Sequence, residues 1–425
     1  MAAFSNSRKR WLVGRISLSL FGIFLTVVFA AQERAPIATI SSSDLTLIPE
    51  ARLAPTAFEP NVDGTEIAVE FRATHDDRSV AVWLGIWQLP AKRLLQSCQV
   101  DKLSPAESQN HGFISELRFS PDGKRIVALT GPRIHIVSTV DCKEIALLRP
   151  PGLKVSTKGP TIRTFDVATQ ADLVAVLSDD ASYSLPGIRA IGEARSSIQI
   201  FSLKDGTLIN ELFLNGAFAT MAISPDGNRV MLSGDFSAPP LSETADVVLF
   251  DANSGAVLRK LHSGFNWLKI PGNGLPLSFL SPTQIMVAPS MDSNHAGRYG
   301  GKTLKVFDLD TGKLSKEFTT QHFGPTGTLA VASHAPVAAT INFWQSQREI
   351  LSDWARHDGK AELVAFRLSD GSSFRIASPV TQGISGYNLR LSGDGSIVCL
   401  FEGSTINVYR VLSENLSFGA VDKSP

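Results

Sequence analysis

The side chains with the widest chemical range sit in a few short polar stretches. His75, Asp76 and Asp77 form one; the others are Asp179 with Asp180, Asp235, Asp292 with His295, and Asp353, His357 and Asp358. Carboxylates gathered on loops suit Ca²⁺, which takes roughly six to eight oxygen ligands. None of these groups has the spacing of an EF-hand loop or of a Gly-Gly-x-Gly-x-Asp repeat, and Asp that caps its own turn accounts for them equally. No two histidines stand at a zinc-motif spacing, and no Gly-x-Ser-x-Gly elbow presents an acyl-transfer nucleophile. The sequence nominates no catalytic residue, no metal ligand and no cofactor.

Aromatic residues crowd the same stretches: Tyr183, Phe236, Tyr299, Phe343, Trp344 and Trp354, with Phe265 and Trp267 nearby. Trp and Tyr on loops supply large contact area at low entropic cost, which is how interfaces use them. Trp267, Trp344, Trp354, Tyr299 and Phe343 are the leading ligand-contact residues. The plainer alternative is that each ring pins its own loop to the fold. From Phe343 to His357 the apolar residues at 343, 344, 350, 351, 354 and 355 fit one helical stripe, which predicts a short helix, either a lid or a partner-docking element.

What must position these loops is an internal repeat. Phe119-Ser120-Pro121-Asp122-Gly123-Lys124-Arg125-Ile126-Val127 and Ile223-Ser224-Pro225-Asp226-Gly227-Asn228-Arg229-Val230 are its clearest copies. Each is an apolar strand, a turn and a second strand. A third strand follows and closes on an Asp-containing Gly turn, as in Val248 to Gly255. Pro presets φ, Asp caps the turn and Gly takes the left-handed position. Seven such units are visible, the sixth marked by Gly324-Pro325-Thr326-Gly327 and the seventh by Gly393-Asp394-Gly395. A four-stranded unit cannot bury both faces alone, so the units must stack in a ring. The fold expected is all-β: a seven-bladed β-propeller of four-stranded blades. After the seventh unit, Leu412 to Pro425 offers no convincing fourth strand. The alternating segment from Ala38 to Leu47 belongs to no unit, and should supply the missing outer strand and close the ring.

These hairpins and third-strand endings resemble the WD40-like propeller repeats of exported bacterial proteins, the group that includes TolB-type and YVTN-type propellers. The resemblance spans residues 50 to 412 and implies fold and export. Gly-His and Trp-Asp pairs, present per blade in true WD40 repeats, are missing in register here. Related propellers include lactonase-like and quinoprotein dehydrogenase chains, so the resemblance also leaves an enzyme or cofactor-dependent subunit open, with its site at the central channel.

The repeat also serves as a ruler. A bare unit takes about 40–45 residues, and units three to six exceed it between their second and third strands: Ser178 to Ser197, Gly234 to Asp246, Pro289 to Lys302 and Asn342 to Glu362. In a propeller those connections share a face with the links between blades. The Pro-Asp-Gly turns mark the opposite face, expected to be inert.

Bulk composition narrows the partners. Lys+Arg and Asp+Glu are equal at 40 each, so no basic field favours nucleic acid. Arg8-Lys9-Arg10, the apolar run Ile16 to Phe29 and the small residue Ala30 read as an export signal cleaved after Ala30. The alternative is an uncleaved membrane anchor facing outside the cytoplasm. The expected organisation is 1–30 signal or anchor, 31–48 closing segment, 49–412 propeller and 413–425 tail. Of three cysteines, Cys399 reads as core filling. Cys98 and Cys142 are placed at opposite ends of their blades, beyond the ~7 Å Cα limit for a bridge, so no disulfide is expected. The function expected is a non-catalytic periplasmic or extracellular module that binds a protein, peptide or ligand through its long-loop face; a structural stub supporting oligomers is a further alternative.

Overall fold

The Ser-x-Asp-Gly turn is a hydrogen-bonded unit that recurs with the same atoms. In the computed structural model Ser120 Oγ donates to Asp122 Oδ1 at 2.6 Å while the Arg125 N–H donates to Ser120 Oγ at 3.0 Å. Ser224 with Asp226 and Arg229, and Ser392 with Asp394 and Ile397, repeat both contacts. Gly123, Gly227 and Gly395 all have φ near +70° (68°, 76° and 72°), where a Cβ would strain the backbone. Gly393 replaces the proline in the seventh copy without changing the turn, so the Ser and Asp hydrogen bonds, not the imide ring, hold this geometry.

The structure describes residues 35–45, 52–110, 115–148, 161–179, 195–215, 217–235, 247–263, 275–288, 303–319, 329–344, 360–377 and 389–411. They form seven antiparallel four-stranded sheets. Blade 1 is Arg52–Pro60, Glu66–Thr74, Val80–Gln88 and Arg93–Leu103; blade 2 is Ser115–Phe119, Arg125–Thr130, Arg133–Ser138 and Glu144–Leu148. Blade 3 runs Thr161–Val167, Leu173–Asp179, Arg195–Ser202 and Leu208–Asn215; blade 4 runs Ala217–Ile223, Arg229–Asp235, Val247–Asp251 and Val257–Leu261. Blade 5 is Leu277–Ser281, Gln284–Val287, Thr303–Asp308 and Leu314–Thr319; blade 6 is Ala330–Val331, Val337–Trp344, Lys360–Arg367 and Ser373–Ala377. Blade 7 takes Leu389–Leu391, Ile397–Glu402 and Thr405–Arg410 from the end of the chain and Ala38–Ser41 from its beginning.

That last pairing is the ring closure. Ala38 lies opposite Val408 and Ser41 opposite Thr405, and Thr39 Oγ1 donates to Asn407 Oδ1 at 2.8 Å. The closing strand is shorter than the alternation suggested. It stops at Ser41 because Ser42–Asp44 coils into a 3₁₀ turn, where Asp44 accepts from the Ser41 N–H at 2.8 Å. Asp44 also pairs with Lys92 of blade 1 at 2.9 Å. In blade 6 the first hairpin turns at Ser333–Pro336; the Gly324–Gly327 marker lies outside the described residues.

Blades cohere through their faces. Each neighbouring pair shares an apolar cluster, for example Leu84, Ile86, Leu117 and Ile126 between blades 1 and 2, and Ile40, Phe58, Phe71 and Val408 where blade 7 meets blade 1. Polar bridges cross between neighbouring blades: Arg125 to Asp172 at 2.9 Å, Asn210 Nδ2 to the Ala252 carbonyl at 2.7 Å and Lys316 Nζ to the Leu368 carbonyl at 3.1 Å.

Two expectations are corrected. Cys98 and Cys142 form a disulfide, with Cα atoms 6.1 Å apart. The outer strand of blade 1 continues to Leu103, so Cys98 sits mid-strand opposite Leu84 instead of at its end. The turn carrying Cys142 lies against that strand, where Gln96 Nε2 donates to the Val140 carbonyl at 2.6 Å. Phe343 and Trp344 do not begin a helix. They end the second strand of blade 6, in register with Ala361 and Lys360.

Candidate functional site

All seven first strands line one cavity of about 420 Å³ at the channel end bounded by the first-hairpin turns, where Pro60, Pro121, Pro225, His334 and Gly393 reach it. Its charges come from one position of the repeat. The residue that opens each hairpin has its N–H on the carbonyl across the turn: Asn61, Ser120, Ala168 and Ser392 in blades 1, 2, 3 and 7. Two residues earlier stand Glu59, Arg118, Asp166 and Arg390. Alternation along a strand sends side chains two apart to the same face, so these four converge, and Glu116 joins them from two residues before Arg118.

Arg118 is the hub. Its Nη2 donates to Glu116 Oε1 at 2.7 Å, Nη1 stands 3.6 Å from Glu59 Oε2 and Nε 3.8 Å from Asp166 Oδ1. Arg390 places Nε 3.1 Å from the same Glu59 oxygen and Nη2 3.6 Å from Glu116 Oε1. Glu116 is well supplied, since its other oxygen accepts from Thr164 Oγ1 at 2.9 Å. Asp166 Oδ2 accepts from the Ile223 N–H at 3.0 Å. Glu59 fares worst: its Oε2 is buried, and neither it nor Arg390 Nε has a hydrogen bond of acceptable direction.

The charge states follow. Burial pushes Glu59 up to about 7 against the pull of Arg118 and Arg390, and pushes Asp166 up to about 6 against Arg118. Arg118 is driven further up despite its burial, because Glu116, Glu59 and Asp166 surround it. Arg390 moves down, through burial first and the neighbouring Arg118 second. The channel thus holds one clamped guanidinium, one less well compensated, and a carboxyl that titrates near neutrality in a confined cavity. The turn-bearing face, expected to be inert, is where this chemistry opens.

A second network lies on the seam of blades 1 and 2. His135, only 3% exposed, stands between Asp101 Oδ2 at 3.2 Å from Nε2 and Glu144 Oε2 at 2.7 Å from Nδ1. Asp101 also takes Arg133 at 2.9 Å and Thr130 Oγ1 at 2.7 Å, and Arg133 pairs with Glu107 of the short helix Pro105–Asn110. Burial lowers His135, but Asp101 and Glu144 outweigh it and the net shift is upward; Asp101 is held far below the usual range by His135, Thr130 and Arg133 against its burial. This network joins blades 1 and 2.

Of the aromatic residues singled out by sequence, Trp267, Tyr299 and Trp354 lie outside the described residues, and Phe343 and Trp344 are consecutive on one strand end. Asp77 caps its own turn, accepting from the Ser79 N–H at 2.8 Å and Oγ at 2.6 Å. Asp179 and Asp235 terminate strands. Among the described residues no three His, Cys, Asp or Glu gather as metal ligands. The channel set went unnoticed because no two of its blades are neighbours in sequence by less than a full unit. The signal was present in Phe58-Glu59-Pro60, Leu117-Arg118-Phe119, Phe165-Asp166-Val167 and Leu389-Arg390-Leu391, a charge between apolar residues at one register.

The fold defines the class: this chain is a seven-bladed β-propeller. No protein-family model and no curated protein matches it. Among solved structures it is similar to a chain in the crystal structure of the mitotic checkpoint complex, with a TM-score of 0.52 and 10% identity over 95% of this chain and 99% of that one. A second similar structure is the Myceliophteria thermophila Cps50 (Swd1) β-propeller domain, with a TM-score of 0.49 and 11% identity over 84% and 96%. At these identities the likeness is one of fold.

Proposed function

We propose that this propeller is a non-catalytic, exported scaffold that binds a protein or peptide partner through the face bearing its long connections. One observation carries the reading. Every connection at the first-hairpin end of the blades is a tight turn, whereas 180–194, 236–246, 289–302 and 345–359 all leave from the other end. Long loops on one side of a rigid ring are where propellers place recognition; Tyr299 and Trp354 belong to these segments, Phe343 and Trp344 border the last of them, and Trp267 belongs to the link between blades 4 and 5. Export is supported by the basic and apolar start of the sequence, with cleavage after Ala30 releasing it to the periplasm or exterior, and by the Cys98–Cys142 bridge, which persists in oxidising compartments.

The catalytic alternative has the near-neutral Glu59 in its favour as an acid or base. It is the weaker reading. Ser333 bonds His334 Nδ1 at 2.8 Å at the cavity wall, but no carboxylate orients that ring among the described residues. The test is recovery of partners from an envelope extract by wild type and by the Trp344→Ala/Trp354→Ala variant. Loss of specific partners from the variant is expected; equal recovery of every partner overturns the proposed surface.

A further inference from the structure

We propose that the channel cavity is a second, independent binding site, and that it takes a ligand's primary ammonium group between Glu59 and Asp166. Three carboxylates, Glu59, Glu116 and Asp166, face two guanidiniums there, so the set carries one net negative charge in a confined space once Glu59 and Asp166 are both ionised. A cation completes it and an anion worsens it.

The acceptor atoms point to where the cation sits. Glu116 is saturated by Arg118 and Thr164. Glu59 Oε2 lacks a hydrogen bond, and Arg118 stands no nearer to Asp166 Oδ1 than 3.8 Å. An ammonium brings three donors and can serve both. A divalent metal is a poorer fit, because the described residues hold no triad of ligands. The cavity, at about 420 Å³, lies within the range of small-molecule sites. It also lies at the turn-bearing end, away from the long connections, so the two surfaces fail or stand separately.

Buried charge with incomplete hydrogen bonding in a cavity is the pattern that binding sites share. Glu59, facing Arg118 and Glu116 of blade 2, Asp166 of blade 3, and Arg390 and the buried Cys399 of blade 7, is ionised only above about pH 7. Binding a cation favours that ionised form and releases a proton, so affinity rises with pH until Glu59 and Asp166 are both charged.

Two sources present this group, a free small amine and a lysine side chain on a peptide. Calorimetric titration of the full chain at pH 8 with cadaverine and with Nα-acetyl-lysine methylamide distinguishes them: tighter binding of the diamine identifies a free amine, tighter binding of the lysine amide a peptide-borne one. At least one should bind, more than tenfold more weakly at pH 5, with Glu59→Gln costing tenfold or more and removing most of the pH dependence. Asp166→Asn is the second variant, expected to weaken binding severalfold while thermal unfolding confirms that both variants fold. Binding of inorganic phosphate in preference to the amines, no amine binding at millimolar concentration, or amine binding unchanged in both folded variants would each overturn the proposal.

Discussion

Arg118 compensates three carboxylates at once, and its removal leaves Arg390 alone to face them. Arg118→Met should destabilise the fold by about 3 kcal/mol, at the low end for breaking a buried ion pair because the channel admits solvent, measured as the shift in urea midpoint. Glu59→Gln has the opposite sign at alkaline pH. A carboxyl raised from 4.5 to about 7 binds its proton more tightly when folded, so its contribution is present below the unfolded value and is lost as pH rises through 7. Glu59→Gln should therefore raise the thermal midpoint at pH 8 and leave it nearly unchanged at pH 4. At this scale the sequence was legible only in part. Ser120 with Asp122 announced its turn because the partners are two residues apart. Glu59 and Arg390 meet across more than three hundred residues, and only aligning the units on their turns would have placed them together.

At the scale of elements, the closing strand was legible and the bridge beside it was not. Alternation from Ala38 onward identified an orphan strand, and the seventh unit identified its place. The same alternation overran into Ser42–Asp44, since period two does not register a Ser/Asp cap competing with the ladder. Ile40 is fully buried in the closing strand; Ile40→Ala should cost about 2–4 kcal/mol, and deleting 36–48 should lower the thermal midpoint sharply. Cysteine pairing was misread because it depends on how one blade's outer strand lies beside the next blade's turn, which periodicity within a unit does not encode. Cys142→Ser should cost about 3–4 kcal/mol by the chain-entropy account for a loop of 44 residues, read as a lower urea midpoint with a larger m, since the unfolded chain becomes less compact. The seam also responds to pH. His135, raised by Asp101 and Glu144 against its burial, stabilises fully below its unfolded value near 6.5 and stops doing so as pH rises through the higher folded value. Melting of His135→Asn against wild type should show a larger gap at pH 6 than at pH 9.

For the whole molecule, seven units were countable because every blade must repeat a solution to the same problem, burial of two faces between neighbours. The ring itself says little about partners; what distinguishes this one is unequal chain length on its two ends and unequal charge around its axis. The seven seams each hold their own apolar cluster, so a lesion in one seam should open the ring there first, and hydrogen exchange should rise fastest in the strands flanking it.

Closure also dictates an order in time. Thr39 bonds Asn407, 368 residues later, so the first strand made waits for the last. Until synthesis passes Arg410 the seventh blade has no complete sheet, and both open ends of the arc expose strand edges prone to mispairing. Loop-closure entropy over that separation delays the final step further. A chain built this way stays unfinished for as long as it is being translated, and its seventh sheet assembles only once both of its ends are present.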